Sequence, residues 1–432
     1  MNVLFISKNG SSLGLAERVR KEGHNASFHI LEKEARSTGE GIVEKPSFDL
    51  PISRQNGQPI QSNIKKLLKE TDPDMVVFDM VKSGKVADYI RINTPVLGAS
   101  RWADHAELDR SYGYKLMKQV GIKIPSTKQF ESGETDEAIS FVKKNKKKRY
   151  VYKPSGNIDA SHTYVSEGPE DMECMLDLWR DDACEFDLQE VVEGVEVSCE
   201  LWWNGLRADI HNITFEEKKF MNDDVGPAIG CAGNIVKMVS PKSKIVKEGI
   251  GKMERLLKKT NYRGPIDLNS IVNEKGLWGL EFTVRFGYDA LQALLEIHKG
   301  SVTQFLHSMA TSTRGYGDFT SDYAIAVRLS VPPYPHTEKD VVKGVPILKV
   351  SNESAKHLWW VDARKTKKGY KSAGVLGDIL VAVARGRYID ECRGRVYRTI
   401  HNLIIPQVQY RTDIGERVER NERRLKQLGY LI

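Results

Sequence analysis

The sequence predicts an α/β protein. Over the first hundred residues buried-strand runs alternate with amphipathic helical patterns, and several later segments alternate apolar and polar residues with period two. The 432 residues are 40% apolar and 28% charged, the balance of an ordinary globular chain with two or three cores. "NVLFIS" at 2–7 reads as a buried strand, "SLGLAERVRKEG" as a helix ending at Gly23, and "ASFHIL" as a second strand. The helix "NIKKLLKE" and the strands "MVVFDM" and "PVLGAS" follow, which is the order of a small doubly wound sheet. The glycine-bearing loop after the first strand lacks G-x-G-x-x-G spacing, so a tight strand-to-helix turn explains it as well as a dinucleotide site does.

From Trp102 the pattern changes. A helix over "DHAELDRSYGYKLMKQVG" precedes a second helix around "DEAISFVKKN", the strand "RYVYKPSG", and the stretch "FDLQEVVEGVEVSCELWWNG". A helix near "VKEGIGKMERLLKKT" then leads to the strand pair in "GPIDLNSIVNEKGLWGLEFTVRFG". From Tyr323 a further strand-rich segment begins, so the pattern divides the chain into 1–103, 104–322 and 323–432.

Composition excludes several classes. No run approaches the eighteen apolar residues of a membrane span, and the chain enters its first strand without a signal-like segment, so a cytoplasmic protein is expected. The five cysteines form no C-x-x-C pair, which argues against a disulfide framework and a structural zinc. A net charge of +7 is mild and partly local to "KKNKKKR" at 143–149. Such a run fits a solvated helix face better than a nucleic-acid site, and the oligomeric state is left open.

The segment "GLEFTVRFGYDA" carries the chemical signal. Glu281, Thr283 and Arg285 alternate with Phe282, Val284 and Phe286, so one strand face is ionic and the other apolar. A half-buried strand with a solvated face gives the same alternation, and the functional reading needs companions. Lys153 ends an apolar strand, where its ammonium either snorkels to solvent or reaches phosphates. Gln189 and Glu196 flank Val191 and Val192, with Gly194 at a bend. That is an ordinary hairpin or an adenine slot with a carboxylate for a ribose. Asp267 and Glu281 lie on strands joined by "NEKG", and pairing that brought their carboxylates together would call for a hard cation such as Mg2+.

Together these segments resemble the ATP-grasp superfamily, and within it the phosphoribosylamine–glycine ligase family. "LDRSYGYKLMKQVGIKIPS", "YVYKPSG", "LQEVVEGVE", "DDVGPAIGCAG" and "LEFTVRFGYDA" resemble the family's motifs in the family's order, and "VRLSVPPYP" and "QYRTDIGER" resemble its last-domain stretches. The resemblance implies an N-terminal doubly wound pre-ATP-grasp domain, a central ATP-grasp domain with a mobile lid at about 124–188, and a C-terminal mixed α+β domain. It implies an ATP-dependent amide-forming ligase acting on a small amino acid, glycine being the expected donor, and an amine. ATP would be bound by Arg110, Lys153, Gln189, Glu190, Val192 and Glu196, and Mg2+ or Mn2+ by Asp267, Glu281 and Thr283. Arg285 would be catalytic, and Gly230, Gly233 and Asp289 would face the substrates. A catalytically altered ATP-binding regulator is the second expectation, because the sequence departs from the family pattern. Thr283 replaces an asparagine, Gln189 a glutamate and Arg110 a lysine. Ala160-Ser161-His162 replaces Gly-Lys-Gly, and "NGSSLG", "WVDA" and Leu376-Gly377-Asp378 stand at positions that line the family's phosphosugar side.

Overall fold

Strand Asn2–Ser7 is apolar on both sides because both faces of its sheet are covered. It pairs in parallel with Asn25–Ile30 and Met75–Phe78, and Val96–Leu97 completes the edge. Leu4 and Ile6 pack with Ile64, Leu67, Val86 and Ile90 of helices Gln61–Thr71 and Gly84–Arg91, while Val3 and Phe5 share the opposite core with Leu13 and Val19 of helix Leu13–Lys21. The expected doubly wound arrangement is present. The structure is a computed structural model and describes residues 1–48, 50–155, 163–181, 184–313, 317–336 and 342–432.

The predicted helix at 104–121 is two helices, Arg101–Leu108 and Arg110–Val120. Asp109 between them is extended, and its carboxylate accepts the Tyr112 N–H at 2.9 Å, so a residue read as helix interior is an N-cap. The helix predicted near 246–260 is likewise broken into short turns, Lys244–Glu248, Ile250–Met253 and Glu254–Leu257, around Gly249 and Gly251.

An eight-stranded antiparallel sheet forms the centre, in the order Gly276–Thr283, Gly264–Asn273, Val195–Trp203, Ala208–Lys219, Ala228–Met238, Tyr323–Ser330, Asp378–Gly386 and Leu358–Trp360. The strands after residue 322 therefore extend the same sheet. One face is apolar: Val197, Cys199 and Leu201, Ile213 and Phe215, Ile266 and Leu268, and Phe282 and Val284 all enter the main core. The other face is polar and ionic. Residues 127–190 form a smaller four-stranded sheet, Thr127–Phe130, Phe186–Glu190, Tyr150–Pro154 and Tyr164–Val165, with helices Thr135–Lys144 and Pro169–Leu178. It has its own core of Phe130, Val142, Tyr150, Tyr152, Met172, Phe186 and Leu188. Ala160-Ser161-His162 lies outside the described residues.

Gly233 is explained by this sheet. A methyl group built on it would lie 2.6 Å from the Ala326 carbonyl oxygen and 2.8 Å from Ile414 Cδ1. Its lack of a side chain lets strand Ala228–Met238 approach Tyr323–Ser330, so packing accounts for the glycine without a substrate contact. Gly233→Ala is therefore expected to destabilise the fold by about 1–3 kcal/mol through overpacking, measured by urea denaturation, with the nucleotide affinity of the folded fraction unchanged.

Candidate active site

The polar face of the large sheet is assembled by register. Asn269 lies opposite Glu281 and Asp267 opposite Thr283, while on the other side Asp267 faces Glu200 and Asn269 faces Ser198. Asp267 and Glu281 share the face as diagonal neighbours. A register shift between Asn269 and Ser270 sets this offset, which the turn length alone does not reveal. Asn212, Thr214, Glu216 and Lys218 continue the face on the next strand.

Lys218 is the centre of this group. Its ammonium lies 2.7 Å from Glu196, 3.6 Å from Glu216 and 2.8 Å from Asn269 Oδ1. Burial alone would lower its pKa, but Glu196, Glu216 and Glu281 outweigh it and hold the lysine above its usual range. Lys218 in return is the main cause of a lowered Glu196 pKa. Lys153 reaches the same region from the smaller sheet. It is buried, which depresses its pKa, while the Glu281 carboxylate pulls it back toward the charged form. Glu281 is accessible from the cleft yet enclosed by its walls; this enclosure would raise its pKa, but Lys153, Lys218, Arg110 and Arg285 hold it below the ordinary value. Four cations from three separate segments and the strand end thus converge on one carboxylate.

The strand carrying Glu281 ends at Thr283, three residues short of the predicted alternation. Glu107 ends it by accepting the Val284 N–H at 2.7 Å and Arg285 Nε at 2.9 Å. Arg285 also donates to the Phe286 carbonyl at 3.2 Å and lies over the Tyr288 ring at 4.5 Å. Glu107, Arg110, Tyr114, Ser155, Glu281 and Arg285 are among the walls of a cleft of about 240 Å3 between helix Arg110–Val120 and the strand end. Arg110 donates to the Lys153 and Pro154 carbonyls, both at 3.1 Å, and lies 3.4 Å from Asp187, so it holds the smaller sheet by its backbone.

The hinge residues divide by role. Gln189 is buried and donates to the Tyr114 hydroxyl at 2.7 Å, which makes it a brace under the hinge. The Glu190 carboxylate turns outward to Lys148 at 2.8 Å, and the Val191 N–H donates to the Arg149 carbonyl at 2.9 Å. Val192 follows them on the way back to the large sheet. At Gly194 a methyl group would lie 2.5 Å from the Val272 carbonyl oxygen, so the turn requires glycine. Lys143 pairs with Glu173, Lys148 with Glu190, and Arg149 with Glu167 and Glu193, so these cations of the basic run are spent on local carboxylates.

On the remaining side Gly230 has a φ of +81° with open space around it, and Asp289 is buried with a φ of +63°. Asp289 holds the Arg328 guanidinium in two hydrogen bonds of 3.1 and 3.0 Å, so its influence beyond that contact passes through Arg328.

Oxygen donors suited to a hard divalent ion are present. Asp267 Oδ1 is buried without a hydrogen-bond partner, and burial beside Glu216 and Glu200 raises the Asp267 pKa well above the usual carboxylate range. A metal ion would relieve both penalties. Among the described residues no three carboxylate, imidazole or thiol groups come together as a metal cage. Lys218, Glu216, Asn269, Glu107 and Arg328 were not singled out by the sequence. The alternation Glu216–Lys218 on a strand was a usable signal, whereas nothing local links Glu107 to Arg285.

Comparison with known proteins matches residues 108–290 to the phosphoribosylglycinamide synthetase ATP-grasp (A) domain. Phosphoribosylamine–glycine ligase of Streptomyces coelicolor is 24% identical over 348 residues, covering 76% of this chain and 80% of that protein. The crystal structure of phosphoribosylamine–glycine ligase from Thermotoga maritima superimposes with a TM-score of 0.69 at 17% identity, covering 96% of this chain and 100% of that one. Biotin carboxylase from Campylobacter jejuni, solved as a β,γ-ATP complex, gives a TM-score of 0.66 at 11% identity over 100% of this chain and 97% of its own. Among the described residues no helix is long and apolar enough to cross a membrane. The chain carries an ATP-grasp domain over residues 108–290 and is most like the phosphoribosylamine–glycine ligases.

Proposed function

We propose that the protein joins a small amino acid, glycine being the expected donor, to an amine through an acyl phosphate, at the expense of ATP. The observation that carries this reading is the convergence of Lys153, Lys218, Arg110 and Arg285 on Glu281, on the wall of the cleft between helix Arg110–Val120 and the strand end. Such a face suits a polyphosphate. Lys153 and Arg285 would hold its oxygens from two sides, and Val192 with its neighbours would present backbone to the adenine. Glu281 and Asp267, with Asn269 or Thr283 beside them, would hold Mg2+ or Mn2+, whose charge would neutralise the β- and γ-phosphate oxygens.

In this reading a carboxylate oxygen of the donor attacks the γ-phosphorus and the bond to the β-phosphate oxygen breaks, giving an acyl phosphate and ADP. The amine nitrogen then attacks the acyl carbon, the bond to the phosphate oxygen breaks, and the amine loses a proton as the amide forms. Arg285, fixed by Glu107 and Tyr288, places a planar cation where charge develops on the transferring group. The smaller sheet excludes water, which would otherwise hydrolyse the intermediate.

Titration calorimetry with a nonhydrolysable ATP analogue should show binding that strengthens with Mg2+, and Lys153→Ala should weaken it at least tenfold. Absence of binding by the wild type with and without Mg2+ would sink the reading. Glu281→Gln and Arg285→Ala should each lower substrate-dependent ADP release by a factor on the order of a hundred to a thousand, about 2.7–4 kcal/mol of transition-state stabilisation, while the thermal midpoint shows that the protein remains folded. Normal turnover in either folded variant would reduce the ionic face to ordinary strand surface. A second reading, an ATP-binding regulator without turnover, is favoured by Thr283 lying across from Asp267 where a stronger ligand would serve. It forecasts nucleotide binding with no ADP release from the wild type under any pair of amino acid and amine.

A further inference from the structure

Past Arg285 the site continues toward the last strands of the sheet. The Tyr288 ring has Arg285 at 4.5 Å and Arg328 at 5.8 Å, and Arg328 in turn lies 3.6 Å from Asp378. Asp378 is held close to Asp362 by the strand ladder, the Asp362 N–H donating to the Asp378 carbonyl at 3.2 Å. In this region three successive backbone N–H groups, those of Val375, Leu376 and Gly377, converge on a single atom, Asp362 Oδ2, at 2.7, 3.0 and 3.1 Å. Successive amides turned to one point form an anion receptor of the kind that cradles phosphate oxygens. Here a carboxylate of the chain fills it, on a side chain only 2% exposed.

A second receptor nearby is filled in the same way. Where strand Asn2–Ser7 turns into helix Leu13–Lys21, Asp79 Oδ2 accepts the Ser12 N–H at 2.8 Å and the Ser7 hydroxyl at 2.7 Å. That loop adjoins the first receptor, since a methyl group built on Gly10 would lie 3.4 Å from the Val361 carbonyl oxygen. Arg328, the cation beside Asp378, is already paired with Asp289 and Asp378. A phosphate entering the corner would have to displace Asp362 and then lie beside Asp378, with like charges repelling in a buried setting.

We infer that the amine acceptor carries no phosphate, and that Asp362 determines this by occupying with its own carboxylate the backbone receptor a phosphate would need. The inference rests on the ligase reading for the word acceptor, but the filled receptor is testable without turnover. Inorganic phosphate is titrated into the full chain with ADP and Mg2+ present, so that any contribution from the nucleotide side is common to all variants. Asp362→Ala should bind phosphate at least tenfold more tightly than wild type, with ADP affinity unchanged. Asp362→Asn keeps an oxygen for the three amides but removes the charge. It should fold as wild type does and gain at least threefold in phosphate affinity, which decides the matter if the alanine variant fails to fold. In parallel, wild-type ADP release with glycine is compared across unphosphorylated amines and phosphoribosylamine, and inorganic phosphate should not compete with the amine. Unchanged phosphate affinity in the folded variants, or preferred turnover of phosphoribosylamine by the wild type, overturns the inference. No ADP release with any amine, alongside the predicted gain in phosphate binding, would overturn the ligase reading and leave the filled receptor standing.

Discussion

The ionic face depends on one half-buried cation, Lys218. Without Lys218, Glu196, Glu216, Glu281 and Asp267 would crowd one sheet face with like charge, and each would have to take up a proton or separate. With it, the negative charge is only partly balanced. Glu281 remains charged because four cations surround it, while Asp267, farther from them and closer to Glu216 and Glu200, is pushed toward its neutral form. This uneven balance is what a metal-nucleotide complex can exploit, because a divalent ion adds positive charge beside the carboxylates and the phosphates add negative charge beside the lysines.

The two sheets are coupled across the same charges. Lys153 comes from the smaller sheet and Glu281 from the larger, so their attraction draws the walls of the cleft together. Arg110 and Gln189 limit how far the walls separate. Arg110 grips the carbonyls of Lys153 and Pro154, and Gln189 is fastened to Tyr114 on the same helix. The chain returns to the larger sheet at Gly194, where the close approach of the Val272 carbonyl leaves no room for a side chain. The smaller sheet thus keeps its own aromatic core while its charged edge is tied to the larger one.

What the sequence made legible follows from periodicity. The alternation in "LEFTVRF" placed Glu281 and Thr283 on one face correctly, and the alternating runs at the N-terminus gave the small parallel sheet, because both patterns report local backbone geometry. Contacts set by distant chain segments were not legible. The shift at Asn269 put Asp267 and Glu281 on one face as diagonal neighbours, Glu107 stopped the strand from 177 residues away, and Asp109 broke a helix whose apolar pattern runs through it. Lys218 lay in a run of charges, "EEKK", which reads as solvated surface unless its strand is known to face a cleft. The continuation of the central sheet into the last hundred residues was invisible for the same reason: a strand's sequence states which faces are buried, and leaves its neighbours unspecified.

The contrast between the two ends of the site has a physical cause. On the proposed function the phosphates of a nucleotide are the same whatever amine is joined, so Lys153, Glu281 and Arg285 would answer to a constant ligand. The loops at the proposed acceptor end would answer to a variable one, and a loop whose amides point at a missing anion leaves backbone donors unsatisfied, at a cost of about 1–3 kcal/mol for each buried group. Asp79 and Asp362 remove that cost from within the chain. Loops filled in this way hold their shape with no ligand present, and the geometry of the acceptor corner is set by folding rather than by binding.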